Sequence, residues 1–268
     1  MSPTSFPDLN AVLHELVAGV RMILGTNFCG AYLQGSFAVG DADRHSDVDF
    51  VVVTHDEISS EQLAWLQTMH GRIHALDVSW AQHLEGSYIP TRRLRRVGPS
   101  RSSFLYLDNG ARRLIWDDHC NTAAVRWSLR ERGVVLHGPD PRTLVEPVSA
   151  AELRCEALAG VRDYAEWAPE PTKAGPMSRW KQPYLVLTFC RLLHTSAEGR
   201  VTSKREAGEW ALRTLVPSWA SLIRRALDDR PDPWGRVHQP ADPAMIERTL
   251  AFAEYAVQTA ARNEAAAA

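Results

Sequence analysis

The sequence has little of what marks a secreted or disulfide-stapled protein. Its 268 residues include four cysteines, Cys29, Cys120, Cys155 and Cys190, far apart and without a C-x-x-C pair. That spacing argues against a disulfide framework or a cysteine zinc site, and fits buried thiols in a reducing compartment. The opening MSPTSFPDLN has neither a basic nor an apolar stretch, so no secretory signal is read there. No run approaches the roughly 20 apolar residues of a membrane span. There is no internal repeat. His70 and His74 lie four apart, but on a helix that already has an apolar face, so they do not read as a metal pair. Strong charge of one sign is also missing. The 30 basic and 32 acidic residues give a net charge of −2, with no global pull toward nucleic acid or an anionic membrane. The expectation is a cytoplasmic monomer with neither nucleic acid nor membrane as a partner.

What is present is ordinary globular material: 45% apolar and 23% charged residues, over a length that suits one large domain or two ordinary ones. Leu9, Val12, Leu13, Leu16, Val17, Val20 and Leu24 predict a helix over 8–25, stopped by Gly25. The run 29–33 predicts a short strand entering the turn Gly35-Ser36, and VDFVVVT at 48–54 a buried β-branched strand. A helix is expected over 59–78 from the cap-like Ser59 or Ser60, then an alternating strand over 83–89 ending at Pro90. Residues 121–132 predict a helix and 134–136 a short strand. Beyond about 150 the period is helical: 150–167, 181–196, 204–214, 218–228 and 243–264, separated by Pro- and Gly-containing breaks. Ala265–Ala268 reads as a low-complexity tail that frays. The expected class is α+β: a mixed-sheet domain over 1–145, then an all-α bundle over 146–268, with the change in composition near Pro139–Pro147.

The stretch richest in chemistry is Gly35-Ser36, a spacer of nine residues, then Ser46-Asp47-Val48-Asp49 leading into β-formers. Gly35 permits a tight turn and a close backbone approach to phosphate, and Ser36 adds a hydroxyl beside backbone donors at a helix start. Asp47 and Asp49, two apart on a strand, project from one face. Two carboxylates so placed suit Mg²⁺, which takes one or two carboxylates plus phosphate oxygens. A lone D-x-D is more often a solvated edge; the whole constellation is not.

The pattern G-S-x₉-S-D-x-D resembles the nucleotidyltransferase superfamily with its polymerase β-like fold. Residues 133–148 (GVVLHGPDPRTLVEPV) and 184–211 are further similar to the streptomycin/spectinomycin adenylyltransferases, with their helical C-terminal domain. The resemblance spans most of residues 30–215. It implies transfer of AMP from ATP to a hydroxyl of a small-molecule acceptor, plausibly an aminocyclitol or aminoglycoside antibiotic, with release of pyrophosphate. It also implies a 1–145 catalytic domain whose nucleotide and acceptor site is completed by 146–268. Two residues compete as third metal carboxylate and general base. Glu85 opens a strand 36 residues after Asp49, as the family's catalytic glutamate does. Asp77 matches the same family string almost as well, but at the end of the expected helix a carboxylate gains nothing from the dipole. Glu85 is favoured.

Arg191 on an apolar helical segment needs an anion, and Lys204 at a helix start runs against the dipole unless something recruits it. Both match positions where the adenylyltransferases bind nucleotide phosphates. An ion pair with Glu206 or Glu209 is the plainer alternative. Arg92, Arg93, Arg95 and Arg96 read as solvated surface, and Trp167, Trp180, Trp210 and Trp219 as packing. The loop carrying Glu166, Glu170 and Lys173 is where a cationic acceptor is expected. There, however, 171–177 (PTKAGPM) lacks the family's acceptor-binding tryptophan and aspartate, and a family aspartate stands here as Asn121. A different acceptor, such as a protein side chain or another metabolite, and a non-catalytic nucleotide-binding or toxin-neutralising module stay as alternatives.

Overall fold

The valine-rich run at 48–54 lies at the centre of a mixed sheet in the computed structural model, which describes residues 2–98 and 102–267. The chain divides into two units, Met1–Val148 and Ser149–Ala268. The first contains, in chain order, α1 (Pro7–Leu24), β1 (Phe28–Leu33), α2 (Gly35–Val39), β2 (Val48–Thr54), α3 (Ser60–His74) and β3 (Leu84–Pro90). It continues with α4 (Thr91–Leu94), β4 (Phe104–Leu107), β5 (Ile115–Asp117), α5 (Ala123–Arg132), β6 (Val134–His137) and α6 (Pro141–Leu144). Among the described residues the strands run β5-β4-β3-β2-β1-β6. β2 and β3 are parallel, and every other neighbouring pair is antiparallel. A parallel pair cannot be closed by a hairpin, so α3 supplies the crossover.

Alternation along β2 serves two cores. Val48, Phe50 and Val52 join Leu9, Leu13 and Leu16 of α1 and Leu66 and Ile73 of α3 on one face. Val51 and Val53 join Tyr32, Ile89, Phe104 and Leu129 on the other. Burial on both faces is why β2 reads as one continuous apolar run. Each such side chain stabilises the fold by about 1.5–3 kcal/mol relative to exposure. α3 begins at a capping box in which Ser59 accepts from Gln62 N–H and Gln62 reaches back to Ser59. It stops at His74, short of the expected 78, because the chain turns to bring Val78 and Trp80 against the first core. Asp77 therefore lies exposed in the turn after the helix.

Two strands were not foreshadowed by periodicity. FLYL at β4 is buried throughout, and the three-residue β5 is largely exposed; neither alternates long enough to be recognised. Two further expectations need correction. Cys155 is exposed, unlike the other three cysteines, although all four are unpaired thiols. By length and composition, Pro7–Asn27 is also apolar enough to cross a membrane. Its buried stripe, however, packs into the first core, while Asp8, Glu15 and Arg21 lie off that stripe.

The second unit comprises α7 (Ala150–Trp167), α8 (Lys181–Glu198), α9 (Lys204–Thr214), α10 (Ala220–Asp228) and α11 (Pro243–Ala267). α8 packs against the other four, so it is apolar around most of its circumference, with Leu185, Val186, Leu187, Phe189, Cys190 and Leu193 buried. Its first residue, Lys181, is only 1% exposed. The Lys181 ammonium donates to the carbonyls of Trp167 (2.8 Å) and Glu170 (2.7 Å) and lies 4.0 Å from the centroid of the Trp167 ring. A cation on the last carbonyls of α7 complements its dipole and ties down the segment that follows. α11 runs through Ala267, so the alanine tail is helical as far as it is described; Ala268 lies outside the described residues. The α+β class, a mixed sheet followed by a helical bundle, is the fold the chain has.

Candidate active site

The parallel register sets Asp49 beside Glu85 at the start of β2 and β3, and Asp47 immediately precedes β2. Adjacent strands lie about 4.8 Å apart, and ligand oxygens of Asp47, Asp49 and Glu85 all fall within 4.8 Å of one another. Each of the three is half-buried. Three carboxylates this close repel one another, and a hard divalent cation relieves that repulsion. Asp77 is not among them. The fold thus brings Glu85 to the pair and leaves Asp77 elsewhere.

The turn before α2 is fitted to this cluster. Gly35 has φ +58°, and a Cβ there would run into the Asp49 carboxylate. Both the left-handed backbone and the close approach require glycine. Gln34 N–H donates to the Asp49 carbonyl at 2.9 Å, holding the turn against β2. The Ser36 hydroxyl is buried and finds no hydrogen-bond partner among the described residues. Such an orphan costs about 1–3 kcal/mol, a cost removed by an oxygen-rich ligand. The acidic trio, the glycine turn and this hydroxyl together fit a Mg²⁺-bound phosphate. The Ser46 hydroxyl accepts from Asp43 N–H at 3.0 Å and lies 3.4 Å from the Asp43 carboxylate, shaping the loop that delivers Asp47.

Residues absent from the sequence reading surround Glu85. Tyr106, on β4, donates to Glu85 Oε1 at 2.7 Å and also lies 3.2 Å from Asp108. His119 Nε2 is 3.3 Å from the same Oε1, and its ring packs on that of Tyr106 at 5.2 Å. Burial and the Glu85 carboxylate push the Tyr106 hydroxyl far above its usual range, and the hydrogen bond to Glu85 raises the His119 pKa. The buried Cys120 has its thiol pushed up to about 12, chiefly by desolvation.

Comparison with known proteins agrees with this geometry. Residues 29–92, which carry the glycine turn and all three carboxylates, match the nucleotidyltransferase domain, and 143–254 match the aminoglycoside adenylyltransferase C-terminal domain. The chain joins a nucleotidyltransferase domain to an aminoglycoside adenylyltransferase C-terminal domain. It is 26% identical over 217 residues to a spectinomycin 9-adenylyltransferase of Staphylococcus aureus, covering 76% of this chain and 78% of that one. An aminoglycoside (3'') (9) adenylyltransferase of Shigella flexneri is 25% identical over 232 residues, covering 82% and 84%. The crystal structure of a spectinomycin adenyltransferase from Enterococcus faecialis, with ATP and spectinomycin, shares the fold. Its TM-score is 0.70 at 12% identity, over 92% of this chain and 98% of that one.

In the adenylyltransferase C-terminal domain, Arg191 is half-buried on α8 and makes no ion pair among the described residues. Lys204 is the first residue of α9 after the N-cap Ser203, and its ammonium lies 4.8 Å from the Tyr184 ring centroid. Glu206, a suggested partner for these cations, accepts from Thr202 and Arg200. In the first unit the arginine quartet is engaged locally. Arg92 and Arg93 pair with Glu57 (2.8 and 3.5 Å), and Arg95 and Arg96 with Glu146 (2.9 and 3.5 Å). Asn121 also has a reason of its own. Its side-chain oxygen accepts from the buried Arg126 (2.8 Å) while its NH₂ donates to the Ser102 carbonyl (2.9 Å). An ionised aspartate has no proton for the second bond.

Proposed function

We propose that this protein transfers AMP from ATP to a hydroxyl of a small aminocyclitol or aminoglycoside, releasing pyrophosphate. The observation that carries the reading is the acidic trio Asp47, Asp49 and Glu85, held within 4.8 Å behind the Gly35-Ser36 turn. Asp47 and Asp49, with Glu85 beside them, would hold Mg²⁺. Bound there, the ion would neutralise triphosphate charge and stabilise charge developing on the transferred phosphorus. The turn at Gly35 admits a phosphate, and Ser36 donates to one of its oxygens. Ser46 maintains the loop against the nucleotide. Arg191 and Lys204 offer cations to the triphosphate. Glu85 accepts the hydroxyl proton as the acceptor oxygen bonds to the α-phosphorus and the bond to pyrophosphate breaks. ATP as donor and the acceptor class are supported by what the relatives are named for.

The test is a panel assay: ATP, Mg²⁺ and aminocyclitols or aminoglycosides, reading pyrophosphate release and the acceptor's mass. A gain of one AMP is expected. The reading fails if no acceptor yields pyrophosphate and Asp49→Asn leaves nucleotide binding unchanged. The absence of tryptophan and aspartate from 171–177 favours testing other metabolites and protein hydroxyls in the same assay. A mass gain confined to those would change the acceptor and keep the chemistry.

A further inference from the structure

The two oxygens of Glu85 have different surroundings. Oε1 lies 2.7 Å from the Tyr106 hydroxyl and 3.3 Å from His119 Nε2. Tyr106 has one proton and two carboxylates within reach, and the shorter distance, 2.7 Å to Glu85 against 3.2 Å to Asp108, decides where it points. An ionised carboxylate only accepts, so at this contact the tyrosine is the donor. The reach comes from register: Tyr106 pairs with Ser87 across β3 and β4, and Ser87 lies two residues along the same face from Glu85. That diagonal separation is one a long aromatic side chain spans. Tyr106 is itself fixed, 4% exposed and with its ring packed at a tilt against that of His119.

We propose that Tyr106, supported by His119, is a positioning residue that occupies Oε1 of Glu85 and so leaves Oε2 to meet the metal and the acceptor hydroxyl. The proposal rests on the reading of Glu85 as metal ligand and base. Hydrogen bonds of this kind, made by a ligating side chain to its surroundings, commonly govern metal affinity and activity by about 10–100-fold. Tyr106→Phe keeps the ring and removes only the hydroxyl. Without it, Glu85 can turn and its two oxygens exchange roles.

The experiment measures Tyr106→Phe in the full chain by two routes. Calorimetric titration with Mn²⁺ alone, in the absence of nucleotide, should show binding weakened about tenfold. In the same comparison Glu85→Gln and the double variant should bind alike, because the tyrosine acts only through Glu85. Steady-state transfer should show kcat lowered at least tenfold, KM for ATP within twofold, and an unchanged melting temperature. His119→Gln, which keeps an N–H donor, should retain more activity than His119→Ala. Unchanged Mn²⁺ affinity and kcat in Tyr106→Phe would overturn the proposal while leaving the proposed function intact. A parallel fall in melting temperature and kcat, with Mn²⁺ affinity unchanged, would overturn it in favour of a packing role. If wild type transfers nothing to any acceptor but Tyr106→Phe still weakens Mn²⁺ binding, the positioning role stands and the proposed reaction falls.

Discussion

The first unit treats charge in two opposite ways. Arg126 is 1% exposed, and its guanidinium is surrounded by acceptors: the carbonyls of Leu94 (2.9 Å), Thr122 (3.1 Å) and Arg93 (2.8 Å), and the Asn121 side chain (2.8 Å). At the start of β2 and β3, three half-buried carboxylates are instead crowded against one another. A buried cation ringed by carbonyls joins the ends of α4 and α5 and asks for nothing more. A cluster of like charges carries a repulsion that a bound cation relieves. Charge that is satisfied holds a fold together, and charge that is crowded marks where a ligand belongs.

The contrast is sharpest at Asp49. Asp49→Asn should lower transfer by about 1000-fold, the scale of losing a charge-stabilising group at a reacting centre, with the unfolding transition preserved or raised. Asp77→Asn, in the exposed turn, should change turnover less than about twofold; equal losses in the two variants would undo the assignment of the acidic site. Arg126→Met is the mirror experiment. It strands four acceptors and should cost about 3 kcal/mol in chemical denaturation, with residual kcat per folded molecule unchanged.

A third way of treating charge is to forgo it. His70 is buried against the Tyr88 hydroxyl at 2.7 Å, and desolvation drives its pKa from 6.5 down to about 3. Below about pH 6.5 the unfolded chain takes up a proton that the folded chain refuses, so stability falls with pH across this window. From pH 7 to 5 the loss from this group is about 2 kcal/mol. His70→Gln, which can still bond to Tyr88, should flatten that stretch of the stability profile; an unaltered slope would mean His70 is protonated in the fold. The smallest effect belongs to the surface pairs. Arg92→Ala breaks the exposed contact with Glu57 and should shift stability by no more than about 0.5 kcal/mol.

Legibility in the sequence follows how local each feature is. Asp47 and Asp49 are visible because a spacing of two on a β-branched run places both on one face. The helices of the second unit are visible because α8, α9 and α11 are long and periodic. Glu85 is visible only as one of two candidates, and strand register, which no short window of sequence states, separates it from Asp77. Tyr106 and His119 were not visible. Tyr106 reaches Glu85 from a strand of four residues and His119 from the turn after a strand of three, both strands too short for alternation to register and well removed along the chain. Lys181 is similar: its position reads as a helix start, and nothing in the spacing says that its ammonium folds back onto the carbonyls of Trp167 and Glu170.

That lysine has a practical use. Lysine occurs at only three positions, Lys173, Lys181 and Lys204, so an amine-reactive reagent has few places to go. Lys173 is exposed and Lys181 is sealed. Acylation at 173 therefore calibrates the reagent, while acylation at 181, read by peptide mass, clocks each opening of the segment that follows α7. The protein carries its own stopwatch for motion in that segment, with no label to engineer.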